Sequence, residues 1–132
     1  KTYPDNKIVW AHMGLSKELQ RMDPAKHVQI MREALASSDN LMLDISWDVL
    51  YNAYHEFGPV FVALINEYPD RFLPGSDFVA AGNKPFEQYQ KEQEVTSRVN
   101  KSLNDEAFRK VALGENYFRL LNLDYTAPPV CQ

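Results

Sequence analysis

The feature that most constrains this chain is the alternation of short apolar runs with longer helical patterns. Three runs rich in large apolar residues are separated by helical segments: KIVWAH (7–12), NLMLDIS (40–46) and RFLPGS (71–76). Strand, helix, strand, helix, strand, helix is the order of parallel βα units. The runs are almost continuously apolar, as strands are in a sheet that is covered on both faces. The sequence therefore predicts an α/β fold with about three parallel strands alternating with helices.

The predicted helices are marked by caps and by apolar periodicity. Asp23-Pro24 is typical of an N-cap followed by proline in the first turn, and a helical period continues to about Ser37. The next helix has the clearest apolar stripe, and Gly58-Pro59 is expected to kink or split it. This stripe consists of Leu50, Ala53, Tyr54, Phe57, Phe61, Leu64, Ile65 and Tyr68. After the third strand we predict a polar helix over about 85–103, a helical segment DEAFRKVAL that ends at Gly114, and a short helix in NYFRLLNL.

The length fits one segment, 1–132, and 45% hydrophobic content is enough for a folded core. Three parallel strands alone would leave both edges of their sheet open, so this composition suits part of a larger sheet better than a complete domain. The chain begins with Lys1 and has no signal-like segment. We therefore expect a processed product or a piece of a longer protein, and the localisation stays open.

Composition argues against several classes of function. The net charge is -4 and the 14 Lys and Arg residues are scattered, which does not favour nucleic-acid binding. The longest apolar stretch, FGPVFVALI, is about half of the roughly 20 residues that a membrane-spanning helix needs. The single cysteine, Cys131, excludes a disulfide framework and a cysteine-rich metal site.

Polar residues recur where each predicted strand ends. His12 follows the first strand, Asp44 to Asp48 close the second, and Ser76-Asp77 follow the third. In βα folds ligands gather at the carboxyl ends of strands, so this recurrence is the strongest local sign of a site. Each residue also has a structural interpretation: His12 as a hydrogen-bonded loop or core residue, Asp77 as a turn or cap, and Asp44 as a buried carboxylate that needs partners. The other two histidines, His27 and His55, lie within predicted helices away from the strand ends and are expected to be surface or packing residues.

A histidine and an aspartate at the same ends of different parallel strands resemble half of a divalent-metal site. Imidazole and carboxylate ligands suit zinc, and an open coordination position could hold an activated water. At least one or two further ligands would be needed, and the chain has no His-x-His. Motifs for a nucleophile elbow, a dinucleotide-binding loop and a P-loop are absent from the sequence. A triad of Ser76, His12 and Asp44 can be drawn, but no spacing supports it.

Four segments, in this order, resemble the carboxyl-terminal half of the amidohydrolase superfamily: KIVWAHMG, NLMLDIS, DRFLPGSDF and ALGENYFRLLNL. Within it the chain is most similar to the amidohydrolase-related branch, which includes decarboxylases of the aminocarboxymuconate-semialdehyde type. The similarity covers about residues 7 to 123. Its most specific part is GSDF after an apolar strand, combined with GEN and a leucine-rich last helix.

The resemblance implies a (β/α)8 barrel of which this chain is the carboxyl-terminal part, since a whole barrel needs about 250 residues. It implies that His12 is a metal ligand, and that Asp77 is both a ligand and the catalytic group that handles the proton of the activated water. We expect Ser46, Trp47 and Phe78 to bind substrate. Many members of the family carry a second histidine where this chain has ISWD. The complete protein is therefore expected to bind metal through a different ligand set or not at all.

Two hypotheses follow from these observations. In the first, the complete protein is a metal-dependent hydrolase that uses a divalent ion, with zinc as the expected one, to cleave a C–N or C–O bond of a small-molecule substrate. Decarboxylation of a small carboxylic acid is the other reaction of this type, and the chain alone is expected to be inactive. In the second, the chain is a non-catalytic half-barrel that serves as a binding or assembly module. Its partner would be the amino-terminal half of the barrel or a second copy of the chain.

Overall fold

The computed structural model of the chain describes residues 5–15, 22–46, 48–77 and 85–130, with side chains for all of these except 48–57. Its regular elements follow the predicted order. They are β1 (Ile8–Trp10), α1 (Pro24–Ser37), β2 (Leu41–Asp44), α2 (Asp48–Glu67), β3 (Phe72–Leu73), α3 (Phe86–Asn100), α4 (Asp105–Ala107, continued as a π-helix over Phe108–Ala112) and α5 (Glu115–Leu120). None of the helices in these ranges is long and apolar enough to cross a bilayer.

The three strands form one parallel sheet in the order β1-β2-β3. Val9 is paired with Met42 in the first ladder, and Leu43 is paired with Phe72 in the second. The predicted α/β class with parallel strands and intervening helices is therefore confirmed. That the sheet belongs to a (β/α)8 barrel stays a prediction.

Burial differs between the two edge strands of the sheet, β1 and β3. The central strand β2 is buried along Leu41, Met42 and Leu43, and the β3 residues are buried as well. The side chains of the edge strand β1 are 42–45% exposed, although all three are apolar. The core lies between the sheet and the helices α1, α2, α3 and α4, and it includes Met13, Val28, Met31, Leu35, Leu43, Ile45, Phe61, Leu64, Ile65, Phe72, Val95, Val99, Ala107 and Val111.

Two predicted boundaries differ from the structure for local reasons. The first strand ends at Trp10 rather than at residue 12, because His12 and Met13 adopt left-handed backbone angles that no strand can contain. The third strand is shortened to Phe72–Leu73, since Pro69–Arg71 form a 3-10 turn before it and Pro74 has no N–H for the ladder.

The first two helices test the predicted helix signals. In α1 the Asp23 side chain accepts a hydrogen bond from the Ala25 N–H at 3.0 Å, which confirms the predicted cap. Of the kink or split expected at Gly58-Pro59, the split is wrong, because α2 is one helix with Pro59 inside it, and the kink stays a prediction. Pro59 is exposed, whereas Phe61 and Leu64 beyond it are buried in the core. Burial of the apolar stripe outweighs the unfavourable proline at this position.

The helix α5 is joined to the sheet by a buried amide. Gly114 begins the helix with φ at +86°, a conformation that favours glycine. Two residues later, Asn116 is 1% exposed, and its Nδ2 donates to the carbonyls of Pro69 and Phe72 at 2.8 and 2.9 Å. The GEN segment therefore has a structural role, since it satisfies two carbonyls on either side of the turn that leads into β3.

We predict that Asn116→Ala lowers the free energy of unfolding by about 2 kcal/mol, because it removes the amide donor from the part-buried carbonyl of Pro69 and the buried carbonyl of Phe72. Urea denaturation of the wild type and the variant measures the difference. Asn6→Ala, in the exposed segment before β1, is the matched control and should change stability by less than about 0.5 kcal/mol, as a surface substitution does. Equal stability of Asn116→Ala and the wild type would contradict the assigned role.

Candidate functional site

The carboxyl ends of the three strands meet at one edge of the sheet and bring together residues that are distant in sequence. His12 follows β1, Asp44 is the last residue of β2, and Gly75 to Asp77 follow β3. Because the strands are parallel and adjacent, these segments lie side by side. The structure thus confirms that the predicted polar residues share one end of the sheet.

The backbone after β1 makes a left-handed turn. His12, Met13 and Gly14 have φ values of +53°, +50° and +67° in succession. For residues with a Cβ this conformation is unfavourable by about 1–2 kcal/mol each, and it normally occurs at single positions. Such strain persists only where the surrounding structure holds it, which makes the turn a candidate for a functional constraint.

Three contacts hold this turn. The His12 N–H donates to Asp44 Oδ2 at 3.0 Å, and Met13 is completely buried in the core. His27 Nε2 lies 2.9 Å from the Met13 carbonyl oxygen, and since a carbonyl only accepts, Nε2 carries the proton and donates it. His27 is buried, so its interpretation as a packing residue is confirmed, but its predicted separation from the strand ends is wrong.

Asp44 is the centre of the hydrogen bonds at this edge. Besides the His12 amide, its Oδ2 accepts the Ser46 hydroxyl proton at 2.8 Å, and its Oδ1 accepts the Ser46 N–H at 3.1 Å. The expectation that Asp44 needs partners is therefore confirmed. Sequence reasoning recognised Asp44 as a buried acid but did not assign it to the site, because the partners of a carboxylate depend on which loops pack around it.

Ser46 bridges Asp44 and His12. Its Oγ is 2.6 Å from His12 Nδ1, whereas His12 Nδ1 and Asp44 Oδ2 are 3.6 Å apart, which is too long for a direct hydrogen bond. The hydrogen bonds connect the side chains in the order aspartate, serine, histidine. In a nucleophilic triad the histidine lies between the other two, so this arrangement does not activate Ser46 as a nucleophile. Ser46 is 4% exposed, and its predicted role in binding substrate stays a prediction.

Gly75 allows the segment after β3 to approach the other two strand ends. A Cβ at this position would lie 3.2 Å from Asp44 Oδ1 and 3.2 Å from the Ser46 Cβ, which is tighter than ordinary contact. Close packing against Asp44 and Ser46 therefore explains why the PGSDF segment has a glycine at position 75. Its small size lets the backbone that leads to Asp77 pass against the Asp44–Ser46 pair.

Asp77, the predicted catalytic residue and metal ligand, lies two residues beyond Gly75. It is exposed, and its φ of +49° is in the left-handed region, where aspartate is tolerated better than most residues. Both interpretations of Asp77, as a turn residue and as an active-site acid, fit this position. Within the described ranges no three His, Cys, Asp or Glu side chains are grouped closely enough to hold a metal ion. The predicted pair of His12 and Asp77 stays a prediction.

Two of the predicted site residues lie outside the described part of the chain. These are Trp47 and Phe78, the expected lining of the substrate pocket. Their assignment as substrate-binding residues stays a prediction.

Tyr117 of α5 is a residue at this edge that sequence reasoning missed. Its hydroxyl donates to the carbonyl of Pro74, which precedes Gly75. Burial raises the pKa of the Tyr117 hydroxyl, and the nearby negative charge of Asp44 raises it further. The only sequence sign of this contact was the position of Tyr117 directly after GEN, and helical periodicity gives no reason to pair it with a strand end.

Comparisons of the chain with protein-family models, curated proteins and solved structures found no match. The evidence for a function of this chain is therefore the geometry of the strand ends and the sequence resemblance.

We predict that Tyr117 ionises above the ordinary tyrosine value of 10.0 in the folded protein. Between the ordinary and the raised pKa the folded state binds more protons than the unfolded state, so stability falls as pH rises above about 10. An absorbance titration of tyrosinate, taken as wild type minus Tyr117→Phe, isolates this one of the 7 tyrosines. The midpoint should drop to the ordinary value in denaturant. A folded-state midpoint at or below 10.0 would contradict the assigned environment.

Proposed function

We propose that the chain is the carboxyl-terminal part of a metal-dependent barrel enzyme of the amidohydrolase type. The complete protein would use a divalent ion, zinc in our proposal, to hydrolyse a C–N or C–O bond of a small molecule or to decarboxylate a small carboxylic acid. The observation that carries the proposal is the position of His12. Its Nδ1 is engaged by Ser46 at the end of the sheet that also bears the exposed Asp77.

The side chains at this edge fit a zinc site in their chemistry. Imidazole nitrogen and carboxylate oxygen are zinc ligands, and a metal-binding histidine almost always uses its other ring nitrogen for a hydrogen bond to the protein. His12 makes such a bond through Nδ1, and Nε2 has no hydrogen-bond partner among the described residues. His12 and Asp77 supply two ligands. The remaining ligands would come from residues beyond the described ranges, including an amino-terminal half of the barrel.

Each side chain at this edge of the sheet would have its own role in binding the cation or in proton transfer. His12 would hold the cation through Nε2, and Asp77 would hold it as well and act as the general base that accepts a proton from water. When bound, a divalent cation supplies positive charge that makes water a better nucleophile and polarises a substrate carbonyl. Asp44 holds the His12 turn in place. Ser46, Trp47 and Phe78 would line the substrate pocket beside these groups.

The exposed edge strand supports the idea of a larger sheet. Ile8, Val9 and Trp10 are 45, 43 and 42% exposed, and among the described residues only β2 pairs with β1. Apolar strand residues that are exposed at an unpaired edge attract a further strand. A neighbouring barrel strand with its helix would cover them.

We predict that zinc binds this chain weakly at the strand ends and that Asp77→Asn weakens the binding by about tenfold or more, because a ligand is lost. Zinc titration followed by NMR of the His12 ring reports the site directly, and calorimetry gives the affinity. Asp39→Asn is the matched control, because Asp39 is an exposed acid at the opposite edge of the sheet. An affinity unchanged by Asp77→Asn, or a His12 signal unaffected by zinc, would contradict the proposal.

A second candidate function is a non-catalytic half-barrel that acts as an assembly module. The exposed apolar side chains of β1 favour it, since an open strand edge can pair with a second copy of the chain. In that case zinc would leave His12 unaffected, and the molecular mass in sedimentation would rise with concentration. A concentration-independent monomer would contradict this second candidate.

A further inference from the structure

We propose that Ser46 is a positioning residue that fixes the tautomer of His12. Its hydroxyl donates to Asp44 and accepts a hydrogen bond from His12 Nδ1–H, so that neutral His12 presents the lone pair of Nε2. The role of Ser46 is thereby specified beyond a place in the pocket lining. The inference deepens the proposed function, and its link to metal binding rests on that function, but the tautomer itself can be measured in the metal-free chain.

The Ser46 hydroxyl carries a single proton. Ser46 Oγ lies 2.8 Å from Asp44 Oδ2 and 2.6 Å from His12 Nδ1, both within hydrogen-bond distance. One hydroxyl proton can be donated to only one of them. The other contact must be a hydrogen bond in which Ser46 Oγ is the acceptor.

Asp44 determines the direction of these two hydrogen bonds. Its carboxylate accepts the His12 N–H and the Ser46 N–H at 3.0 and 3.1 Å, and an ionised carboxylate has no proton to donate. If the hydroxyl proton pointed to His12, two acceptor oxygens would face each other at 2.8 Å. The hydroxyl therefore donates to Asp44 Oδ2, and the proton between Ser46 and His12 belongs to Nδ1.

The consequence for His12 concerns its second nitrogen. A neutral imidazole has one N–H, so a proton on Nδ1 leaves Nε2 as a lone-pair donor. Free histidine in water populates both tautomers, with the Nε2–H form in excess. The Asp44–Ser46 pair reverses this preference, so that Nε2 keeps its lone pair for a metal ion or a proton. His12 then does not have to change its tautomer when a ligand binds.

The test is the ring nitrogen spectrum of His12 in the metal-free chain, recorded near pH 8, where an ordinary histidine is neutral. Long-range proton–nitrogen correlation should show a protonated Nδ1 and an unprotonated Nε2 in the wild type. Ser46→Ala should shift the tautomer ratio toward the Nε2–H form by roughly tenfold, the effect of one hydrogen bond of ordinary strength. A wild-type ring with the proton on Nε2 would overturn the inference.

Two controls separate the hydrogen bond from general packing. Ser46→Thr keeps the hydroxyl and should retain the wild-type tautomer, and Ser37→Ala removes an exposed serine of α1 and should leave the His12 spectrum unchanged. If Ser46→Thr does not fold, comparison of Ser46→Ala with the wild type still decides. An unchanged ratio in Ser46→Ala would overturn the inference. A protonated Nδ1 in a chain that binds no zinc would support the inference while contradicting the proposed function.

Discussion

The carboxylate of Asp44 ties together the strand ends on which the candidate site depends. It accepts three hydrogen bonds, from the His12 amide after β1 and from the amide and hydroxyl of Ser46 after β2. The third strand end passes so close to this carboxylate that only glycine fits at position 75 without crowding. One half-buried acid therefore sets the relative position of three loops, each of which supplies a candidate functional group.

The turn at His12 has a strained backbone that the surrounding contacts must stabilise. Two successive residues with a Cβ adopt left-handed angles, at a cost of about 1–2 kcal/mol each. The turn is held from three sides, by Asp44 at the amide, by His27 at the Met13 carbonyl and by burial of the Met13 side chain. Because these contacts come from different elements of the fold, they fix the backbone of the turn from which the His12 side chain extends.

Local sequence signals predicted the order of the elements well, because apolar runs, the Asp23-Pro24 cap and strand-end polarity are properties of short segments. A split of α2, one of the two outcomes expected at Gly58-Pro59, does not occur, since the burial of its apolar stripe is a tertiary effect that proline alone does not reveal. The site was predicted only in outline. His12 and Asp77 could be placed at one sheet edge from their strands, whereas the pairing of Ser46 with His12, the support from His27 and the contact from Tyr117 depend on how loops far apart in sequence pack.

The Asp44 carboxylate holds the His12 turn through the His12 amide, and hydrogen exchange of that amide measures the contact. We expect the His12 amide to exchange slowly in the wild type and rapidly in Asp44→Ala, while the amides within the sheet stay protected in both proteins. Rapid exchange of the His12 amide in the wild type, or equal exchange in the two proteins, would contradict it.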